Sequence, residues 1–503
     1  MTDAPSIAPS KPRAALSPLF SARRLALVVA LTTAAAWVPS LANGFVWDDQ
    51  YDILRSDRLH HARAVVDVFL HHAMWSADQP ETEISTYRPL ALATIAADWR
   101  LWHTRPAGYH ATNVLLHVLA TLALLLALLR IVDDEGTAAV LALLFALHPA
   151  NAEAVAWING RSEMIALGFG ALALWAARTR RPLAVAAALL CAMLGKETGV
   201  VFVPVAVALA AAPRARTIAA AAVAVAIYAA LRAHALGHTA LPSHATAALA
   251  TLGPVWARTT VAALLPWRRA PIELSSWFSQ LTAHARLAWA LGGAALAAGA
   301  LILAARPRQS GRLAALGLGW WLIALAPTAA IAALDYPWPG LGRWLYVGLP
   351  GLVLVAWLAL RRLPPRARHA VAAAVGALFL VGTQRSIRTW HDDAALYEAM
   401  VAETPDDAWA WRALGTVRLG AARYSDAADC FHRAVTFDRT AEIHAAYALE
   451  AYAWTFLDRC DAAEAQFGAH PPTPALKTED FETALAACRA RVGQAGQPPG
   501  QRR

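Results

Sequence analysis

Long apolar segments recur along the first 383 residues of the chain and are separated by short polar loops. They lie at about 25–42, 111–129, 137–147, 164–177, 183–194, 200–212, 218–236, 287–305, 313–333, 344–360 and 371–382. A straight helix needs about 20 residues to cross a bilayer, so the shorter segments must extend into their flanking loops. The pattern predicts an all-α polytopic membrane protein with about eleven transmembrane helices.

The region before and just after the first apolar segment is polar. Residues 1–24 are rich in Pro and Ser and are predicted to form a disordered cytoplasmic arm. The first segment ends in Ser40-Leu41-Ala42, which resembles a signal-peptidase site, so cleavage stays open as an alternative to an uncleaved anchor. Within the loop 43–107, residues 64–75 are amphipathic, and Pro89 is expected to open a helix that lies in the membrane interface.

Arginine is concentrated in alternate loops, which predicts the topology. With the N-terminus inside, Arg130, Arg178, Arg214, Arg312 and Arg361 all fall on the cytoplasmic side, where short loops collect basic residues. The loop 43–107, the loops at 148–161, 195–199 and 335–343, and the C-terminal region then lie outside. Residues 245–267 are expected to lie in the interface, because a crossing there would turn the loop 306–312 outward.

The composition changes after residue 383 to that of a soluble helical domain, predicted over 384–492. A 34-residue tetratricopeptide repeat aligned over 408–441 finds suitable residues at seven positions. These are Trp411, Leu414, Gly415, Tyr424, Ala427, Phe431 and Ala434. A degenerate second unit begins near residue 444, and residues 493–503 are predicted to be disordered. The domain contains Cys430, Cys460 and Cys488, which permits a disulfide if it is extracytoplasmic.

The overall composition excludes an ordinary soluble protein. Of the 503 residues 58% are hydrophobic and only 16% are charged. The 20 tryptophans fit aromatic belts at the membrane interfaces. The net charge of +9 comes mainly from arginines in short loops rather than from one basic face, so nucleic acid is not an expected partner.

Charged residues cluster at the predicted outer ends of the spans. A charge at membrane depth costs about 2.5 to 3.5 kcal/mol, so such residues usually face a cavity or a partner. The cluster comprises Asp48, Asp49, Glu153, Arg161, Glu163, Lys196, Glu197 and Arg343. Two alternatives stay open. The two aspartates could lie in a solvated acidic loop, and Lys196 and Glu197 could extend their side chains to the membrane interface.

The sharper interpretation of this cluster is a site for an anionic lipid. Lysine and arginine beside carboxylates suit a phosphate diester whose lipid tail stays in the bilayer. A carboxylate would act as general base toward an acceptor hydroxyl, and the cations would stabilise the departing lipid phosphate. The histidines at 60, 61, 71, 72, 110 and 117 have no recognisable ligand spacing, so no metal is expected.

Several short motifs resemble the transmembrane and tetratricopeptide-repeat O-mannosyltransferases. They occur in order along nearly the whole chain: Tyr87-Arg88-Pro89-Leu90, Gly108-Tyr109-His110, Asn113-Val114-Leu115-Leu116-His117, Leu147-His148-Pro149, Glu153-Ala154-Val155-Ala156-Trp157, Gly160-Arg161-Ser162-Glu163, Gly195-Lys196-Glu197-Thr198-Gly199 and Arg343-Trp344-Leu345-Tyr346. The resemblance implies a GT-C glycosyltransferase that uses a polyprenyl-phosphate sugar as substrate and needs no cofactor.

The resemblance also implies roles for the site residues. The acidic pair of Asp48 and Asp49 would hold the catalytic base. Within that pair we expect Asp48 to be the base, with Asp49 and Glu163 orienting acceptor or sugar. The basic residues would line the lipid-phosphate pocket. The full expected substrate-binding set is Arg88, Glu153, Arg161, Glu163, Lys196, Glu197 and Arg343. The chain departs from the family in having Gly342-Arg343-Trp344 where Glu-Arg-Tyr is frequent, and in carrying about one and a half repeats.

The expected function is transfer of a hexose such as mannose from polyprenyl phosphate to a periplasmic acceptor, with protein Ser or Thr favoured. A composition rich in Ala and Arg with three lysines is typical of a high-GC bacterium, which places the protein in the inner membrane. The alternative is a non-catalytic membrane scaffold whose repeats bind envelope-assembly partners. A transporter is disfavoured, because the titratable residues cluster at one face and no inverted repeat is seen.

Overall fold

The computed structural model is helical over most of the residues that it describes. These residues are 18–61, 63–73, 86–211, 213–237, 245–265, 281–306, 308–332, 342–437, 443–470 and 476–495. No β-strand forms within these ranges, and the prediction of an all-α protein is confirmed. The predicted arm up to residue 17, most of the loop 335–343 and the predicted tail from residue 496 lie outside them.

Helices of eight or more residues account for most of the described chain. In order they are α1 (Pro18–Trp37), α2 (Pro89–Trp102), α3 (Pro106–Leu128), α4 (Glu135–Ala146), α5 (Arg161–Arg178), α6 (Pro182–Gly195), α7 (Phe202–Leu209), α8 (Arg214–Leu236), α9 (Ala245–Leu264), α10 (Ala283–Ala305), α11 (Gln309–Ala332), α12 (Leu349–Ala359), α13 (Pro365–Thr389), α14 (Asp393–Glu403), α15 (Ala408–Gly420), α16 (Tyr424–Phe437), α17 (Ile443–Thr455), α18 (Cys460–Ala469) and α19 (Thr478–Ala495).

Six of the described helices are long and apolar enough to cross a membrane, as expected of a multi-pass membrane protein. They are Ala22–Ala42, α3, α8, α10, Gln309–Ala329 and α13. A seventh span arises if α4 and Pro149–Ala156, which are bent by 54°, count as one. The predicted count of about eleven is not confirmed, because α6, α7 and α12 have only 14, 8 and 11 residues and α5 carries charges at both ends.

Buried apolar side chains form one continuous core through the membrane helices and into the C-terminal region. Within this core, α5 packs against both α3 and α6. Gly195 at the end of α6 lies so close to α5 that an added Cβ would be 2.5 Å from the Ile165 side chain. Small residues allow such close helix contacts in membranes. The same core includes Leu396 and Tyr397 of α14, so the C-terminal region begins as part of the bundle.

Helix α9 packs along a candidate span. The Thr251 hydroxyl donates to the carbonyl of Ala329, and the Trp256 indole donates to the carbonyl of Leu322, at 2.8 and 2.9 Å. These contacts run α9 antiparallel along α11. Helix α9 is not among the candidate spans of the described residues, and its position in the interface stays a prediction.

The ends of the helices fall into two groups. At one end the Arg178 guanidinium donates to the carbonyls of Arg130 and Leu209, at 3.0 and 3.5 Å. The loops after α3, α5 and α7 therefore meet there. At the other end the Gly44 amide donates to the carbonyl of His391 at 2.8 Å, joining the first loop to the start of the C-terminal region. The loops predicted to share a side of the membrane therefore lie at the same end of the bundle. Which end faces the cytoplasm stays a prediction.

The first loop is partly helical. Helix α2 begins at Pro89, as predicted, and ends at Trp102. The predicted amphipathic segment 64–75 forms only one short helix, Ala64–Asp67, and its last two residues lie outside the described ranges. Helix α2 packs on α3 and α5 and so closes one side of the acidic loop.

The C-terminal region contains the helix pairs expected from its sequence. Helices α15 and α16 pack together with Leu414, Ala427, Phe431 and Ala434 buried between elements. An added Cβ at Gly415 would lie 2.6 Å from the Phe431 ring, which explains a small residue there. The tetratricopeptide assignment itself stays a prediction. Cys460 and Cys488 form a disulfide between α18 and α19, with their Cα atoms 5.8 Å apart.

Candidate active site

The acidic loop after α1 has an unusual backbone. Trp47 adopts a φ of 58°, which is uncommon for a bulky residue, and the chain then enters a π-helical turn over Gln50–Leu54. The amide of Trp47 donates to Asp393 Oδ1 at 2.7 Å. This conformation brings Asp48, Asp49 and Asp52 close together.

Asp49 is fully buried and holds the loop in place. Its Oδ2 accepts from the Val46 amide at 3.1 Å, and its Oδ1 accepts from the Asn159 amide at 3.3 Å. Burial raises the pKa of Asp49, although these two hydrogen bonds act to lower it. Asp52 is tied to the same partner, because its Oδ2 accepts from the Asn159 amide nitrogen Nδ2 at 2.9 Å. Asp49 is thus suited to fix the loop rather than to react.

Asp48 differs from its neighbours in having an available carboxylate. Its side chain is half-buried, and no hydrogen bond to the carboxylate is made by any residue in the described ranges. Burial raises the pKa of Asp48 to about 6, while Arg343 lowers it and Asp393 raises it. Burial likewise raises the pKa of Asp52 to about 7. Asp48 therefore has the accessibility and the pKa expected of a base near neutral pH.

The four predicted basic site residues each form a pair with a carboxylate. Arg343 Nη1 lies 2.5 Å from Glu153 Oε1, and Arg161 Nη1 lies 2.7 Å from Asp98 Oδ2. Lys196 is paired with Glu163. Arg88 holds Glu197 in a bidentate contact at 2.5 and 2.9 Å. The first three pairs are buried, where a charge is stable only when it is paired.

The Lys196 pair is placed by a tight turn between α6 and α7. The Gly199 amide donates to the carbonyl of Lys196 at 2.8 Å, and an added Cβ at Gly199 would lie 2.4 Å from the backbone of Ala192. Only glycine fits this close approach. The turn directs Lys196 inward onto Glu163 and above the Trp344 ring, with 4.3 Å between Nζ and the ring centroid.

Arg343 lies in an aromatic cage. The rings of Trp47, Trp157 and Trp344 are 5.2 to 5.4 Å from its guanidinium carbon, within the range of cation–π attraction. Trp157 stacks on Trp47 with 4.9 Å between ring centroids and on Trp390 with 6.0 Å. The cage joins the acidic loop, the segment after α4 and the segment before α12.

The structure brings most of the predicted site residues together in two neighbouring groups. Asp48 and Asp49 lie beside the pair of Arg343 and Glu153. Trp344 links that group to the second one, formed by Arg88, Glu163, Lys196 and Glu197.

Arg161 is held apart from both groups. Its guanidinium is fully buried and also donates to Thr94 Oγ1 and to the carbonyls of Ile158 and Tyr109. These bonds attach α2 to α5, and the binding of phosphate by Arg161 stays a prediction.

Several site residues were not predicted from the sequence. Asp52 lies in the same acidic run but is not among the predicted site residues. Asn159 directly precedes the Gly160-Arg161 motif, and its only signal was that position. Asp98 stands out as a carboxylate in an apolar helix, but its partner is 63 positions away in the chain. Within the described ranges no group of three or more His, Cys, Asp or Glu side chains has the arrangement of a metal site.

The fold and site define a class: a multi-pass helical membrane protein with a half-buried carboxylate near a caged and paired arginine at one end of its bundle. The resemblance noted from the motifs is confirmed by comparison with known proteins. The chain is 30% identical over 143 residues to the protein O-mannosyl-transferase TMTC3 of Homo sapiens. It is 35% identical over 129 residues to TMTC1 of Homo sapiens, and 28% identical over 192 residues to F38B6.6 of Caenorhabditis elegans.

These similarities are partial. They cover 28%, 25% and 37% of this chain, and 15%, 15% and 28% of the three relatives' own lengths. No protein-family model matches the chain, and no solved structure matches it.

Proposed function

We propose that the protein is a GT-C membrane glycosyltransferase that transfers a hexose from a polyprenyl-phosphate sugar to a periplasmic acceptor. Mannose is the sugar and a protein Ser or Thr hydroxyl is the acceptor favoured by the names of the relatives. The observation that carries the proposal is the available carboxylate of Asp48, with a pKa of about 6, beside the caged Arg343.

The proposed reaction is a direct displacement at the anomeric carbon. Asp48 takes the proton of the acceptor hydroxyl while that oxygen forms a bond to the anomeric carbon. The bond from this carbon to the phosphate oxygen breaks, and polyprenyl phosphate leaves with the electron pair. Attack from the face opposite the leaving group inverts the anomeric configuration. Asp49 contributes by holding the loop through Val46 and Asn159.

The basic groups support the leaving side of this reaction. Arg343 and Lys196 share contact with the Trp344 ring, so both cations lie along one wall. Positive charge fixed in a water-poor site stabilises negative charge that develops on a leaving phosphate. Arg88 and Glu197 are the most exposed of the four pairs, at 25% and 32% of their side-chain surfaces, which suits a rim position.

The finer architecture belongs to the same proposal. We infer about eleven spans, a C-terminal tetratricopeptide-repeat domain and an inner-membrane location with that domain in the periplasm. The Cys460–Cys488 disulfide favours this placement, because disulfides persist in oxidising compartments such as the periplasm.

The test of the base is sugar transfer by the purified full-length chain, using radiolabelled polyprenyl-phosphate mannose and a panel of other hexoses with membrane acceptors. We expect Asp48→Asn to lower kcat by about 100-fold or more, because general-base catalysis contributes that much. The matched control is Asp57→Asn, an exposed acid of the same loop, which should leave kcat unchanged. Full activity of Asp48→Asn would remove the base assignment.

The cations are tested by Lys196→Ala, with Arg361→Ala at the other end of the bundle as control. We expect loss of transfer only in the first variant, with folding of both checked by gel filtration in detergent. If no donor supports transfer by the native chain, the protein is better explained as a membrane scaffold. Surface changes in α15 and α16 would then be the ones to alter its partners.

A further inference from the structure

The start of the C-terminal domain is in direct contact with the acidic loop. Asn43 Nδ2 donates to the carbonyl of Ile387 at 3.3 Å, and the Gly44 amide donates to the carbonyl of His391 at 2.8 Å. Trp390 stacks on Trp157 of the cage around Arg343. The residues that lead from α13 into α14 therefore form one wall of the candidate active site.

Two adjacent aspartates at this junction have different tasks. Asp392 is exposed and caps α14, because its Oδ1 accepts from the Ala395 amide at 2.8 Å. Asp393 is half-buried and is not needed for the cap. Its Oδ1 accepts from the Trp47 amide at 2.7 Å, across 346 positions of the chain. This bond reaches the residue directly before Asp48.

The backbone at Trp47 needs an external support. A φ of 58° is disfavoured for tryptophan and persists only where surrounding contacts fix it. The hydrogen bond to Asp393 and the stacking on Trp157 are the contacts that do so. If either were lost, the loop would relax and the carboxylate of Asp48 would move from its place opposite Arg343.

We propose that Asp393 is a positioning residue, which holds the Trp47 amide and thereby makes the C-terminal domain part of the catalytic site. The proposal rests on the function proposed above for Asp48. It assigns to the domain a role in the reaction centre itself, separate from any binding by its repeats.

The charge of Asp393 has a second effect on Asp48. The groups that act electrostatically on Asp48 from the surrounding elements are Arg343, Asp49, Asp52, Asp393 and Tyr397. Among them Asp393 raises the pKa of Asp48, because two nearby carboxylates disfavour each other's ionisation. Position and charge can be separated by two substitutions. Asp393→Asn keeps an oxygen acceptor and removes the charge, whereas Asp393→Ala removes both.

The first measurement is the pH profile of sugar transfer by the full chain. We expect Asp393→Asn to move the acid limb to lower pH by about half a unit with little loss at the optimum. Asp393→Ala should lower kcat about tenfold or more at every pH. The matched control is Asp392→Asn, which keeps the helix cap and should reproduce the native profile. Native profiles for both Asp393 variants would overturn the proposal.

The second measurement does not need activity. Hydrogen exchange of peptides that cover residues 44–54 should speed up in Asp393→Ala, and stay near native in Asp393→Asn and Asp392→Asn, because only the first loses the acceptor for the Trp47 amide. Unchanged exchange in Asp393→Ala would overturn the positioning role. Faster exchange together with an absence of transfer by the native chain would uphold the contact and refute the proposed function instead.

Discussion

At the scale of single residues, the acidic loop divides its tasks among three aspartates. Asp49 has both oxygens occupied by backbone amides, and Asp52 is bonded to Asn159. Asp48 is left with a half-buried carboxylate whose pKa burial raises to about 6. The pair that looks equivalent in the sequence thus contains one anchor and one group able to react.

The pH dependence of transfer follows from this difference. A general base works in its ionised form, so activity should rise as pH increases through about 6, the pKa of Asp48. Asp52, with a pKa of about 7, is mostly protonated over the range in which Asp48 titrates, so Asp52→Asn should leave the limb close to its native position. The check is kcat/KM measured from pH 4.5 to 8.5 for both proteins. A native profile that is flat over this range would contradict Asp48 as the titrating base.

At the scale of elements, α2 is fixed to the bundle by a buried ion pair. Asp98 accepts from Thr112 Oγ1 at 2.7 Å and pairs with Arg161 of α5 at the same distance. The helix therefore bridges α3 and α5. Because it covers the side of the acidic loop, its attachment bears on the geometry of the site as well as on stability.

Asp98→Leu alone should destabilise the protein by about 3 kcal/mol, because it leaves the Arg161 charge buried without its partner. The double variant Asp98→Leu/Arg161→Leu should be more stable than the single one, since no unpaired charge remains. Thermal unfolding in detergent measures both. Equal loss in the single and double variants would show that packing rather than charge accounts for the effect.

Gly160 lies where two short elements cross beside the site. An added Cβ would lie 2.5 Å from the carbonyl oxygen of Ala154 and 2.7 Å from that of Glu153. Gly160→Ala should therefore displace the segment that carries Glu153 and cost about 2 kcal/mol, with reduced transfer. Gly319→Ala is the matched control, because no atom lies within 4 Å of an added Cβ there. Equal melting temperatures would refute the expected clash.

The sequence was sufficient for some elements and not for others. Pro89 and Trp102 mark the ends of α2, because proline favours the first turn of a helix and the polar His103-Thr104 follows. Hydropathy located the apolar segments but not their lengths. It could not indicate that the segment ending at Leu147 bends at His148-Pro149.

The candidate site shows the same limit. The charged residues at span ends were predictable, because charge is costly in an apolar segment. Their pairing was not, since Glu153 and Arg343 are 190 positions apart and nothing local connects them. The role of Asp393 could not be predicted from the sequence, because an aspartate at the start of a helix usually serves as its N-cap.

At the scale of the whole molecule, the chain has two chemically different ends. Arg130 and Arg178 meet at one end, where Asp134, just before α4, also lies near His369 of α13. The acidic loop and the junction to the C-terminal domain meet at the other. One end therefore has the basic character of a cytoplasmic face, and the other holds the candidate site.

This polarity predicts which positions a membrane-impermeant thiol reagent reaches in intact spheroplasts. In a background of Cys191→Ser/Cys430→Ser, Glu482→Cys on exposed α19 should be labelled, and Arg361→Cys should be labelled only after lysis. Mass spectrometry of the purified protein gives the readout. Protection of Glu482→Cys before lysis would place the C-terminal domain in the cytoplasm.

The pairing of every site cation with a carboxylate has a consequence for selectivity. The candidate site carries its own counter-ions, so a small free anion gains little by binding there, because it must compete with Glu153 or Glu163, which are already in place. A donor with a long isoprenoid tail has a second source of free energy, the apolar surface of the bundle and bilayer. Inorganic phosphate, abundant in cells, has none. The paired charges of the candidate site would thus favour lipid-borne substrates over free anions.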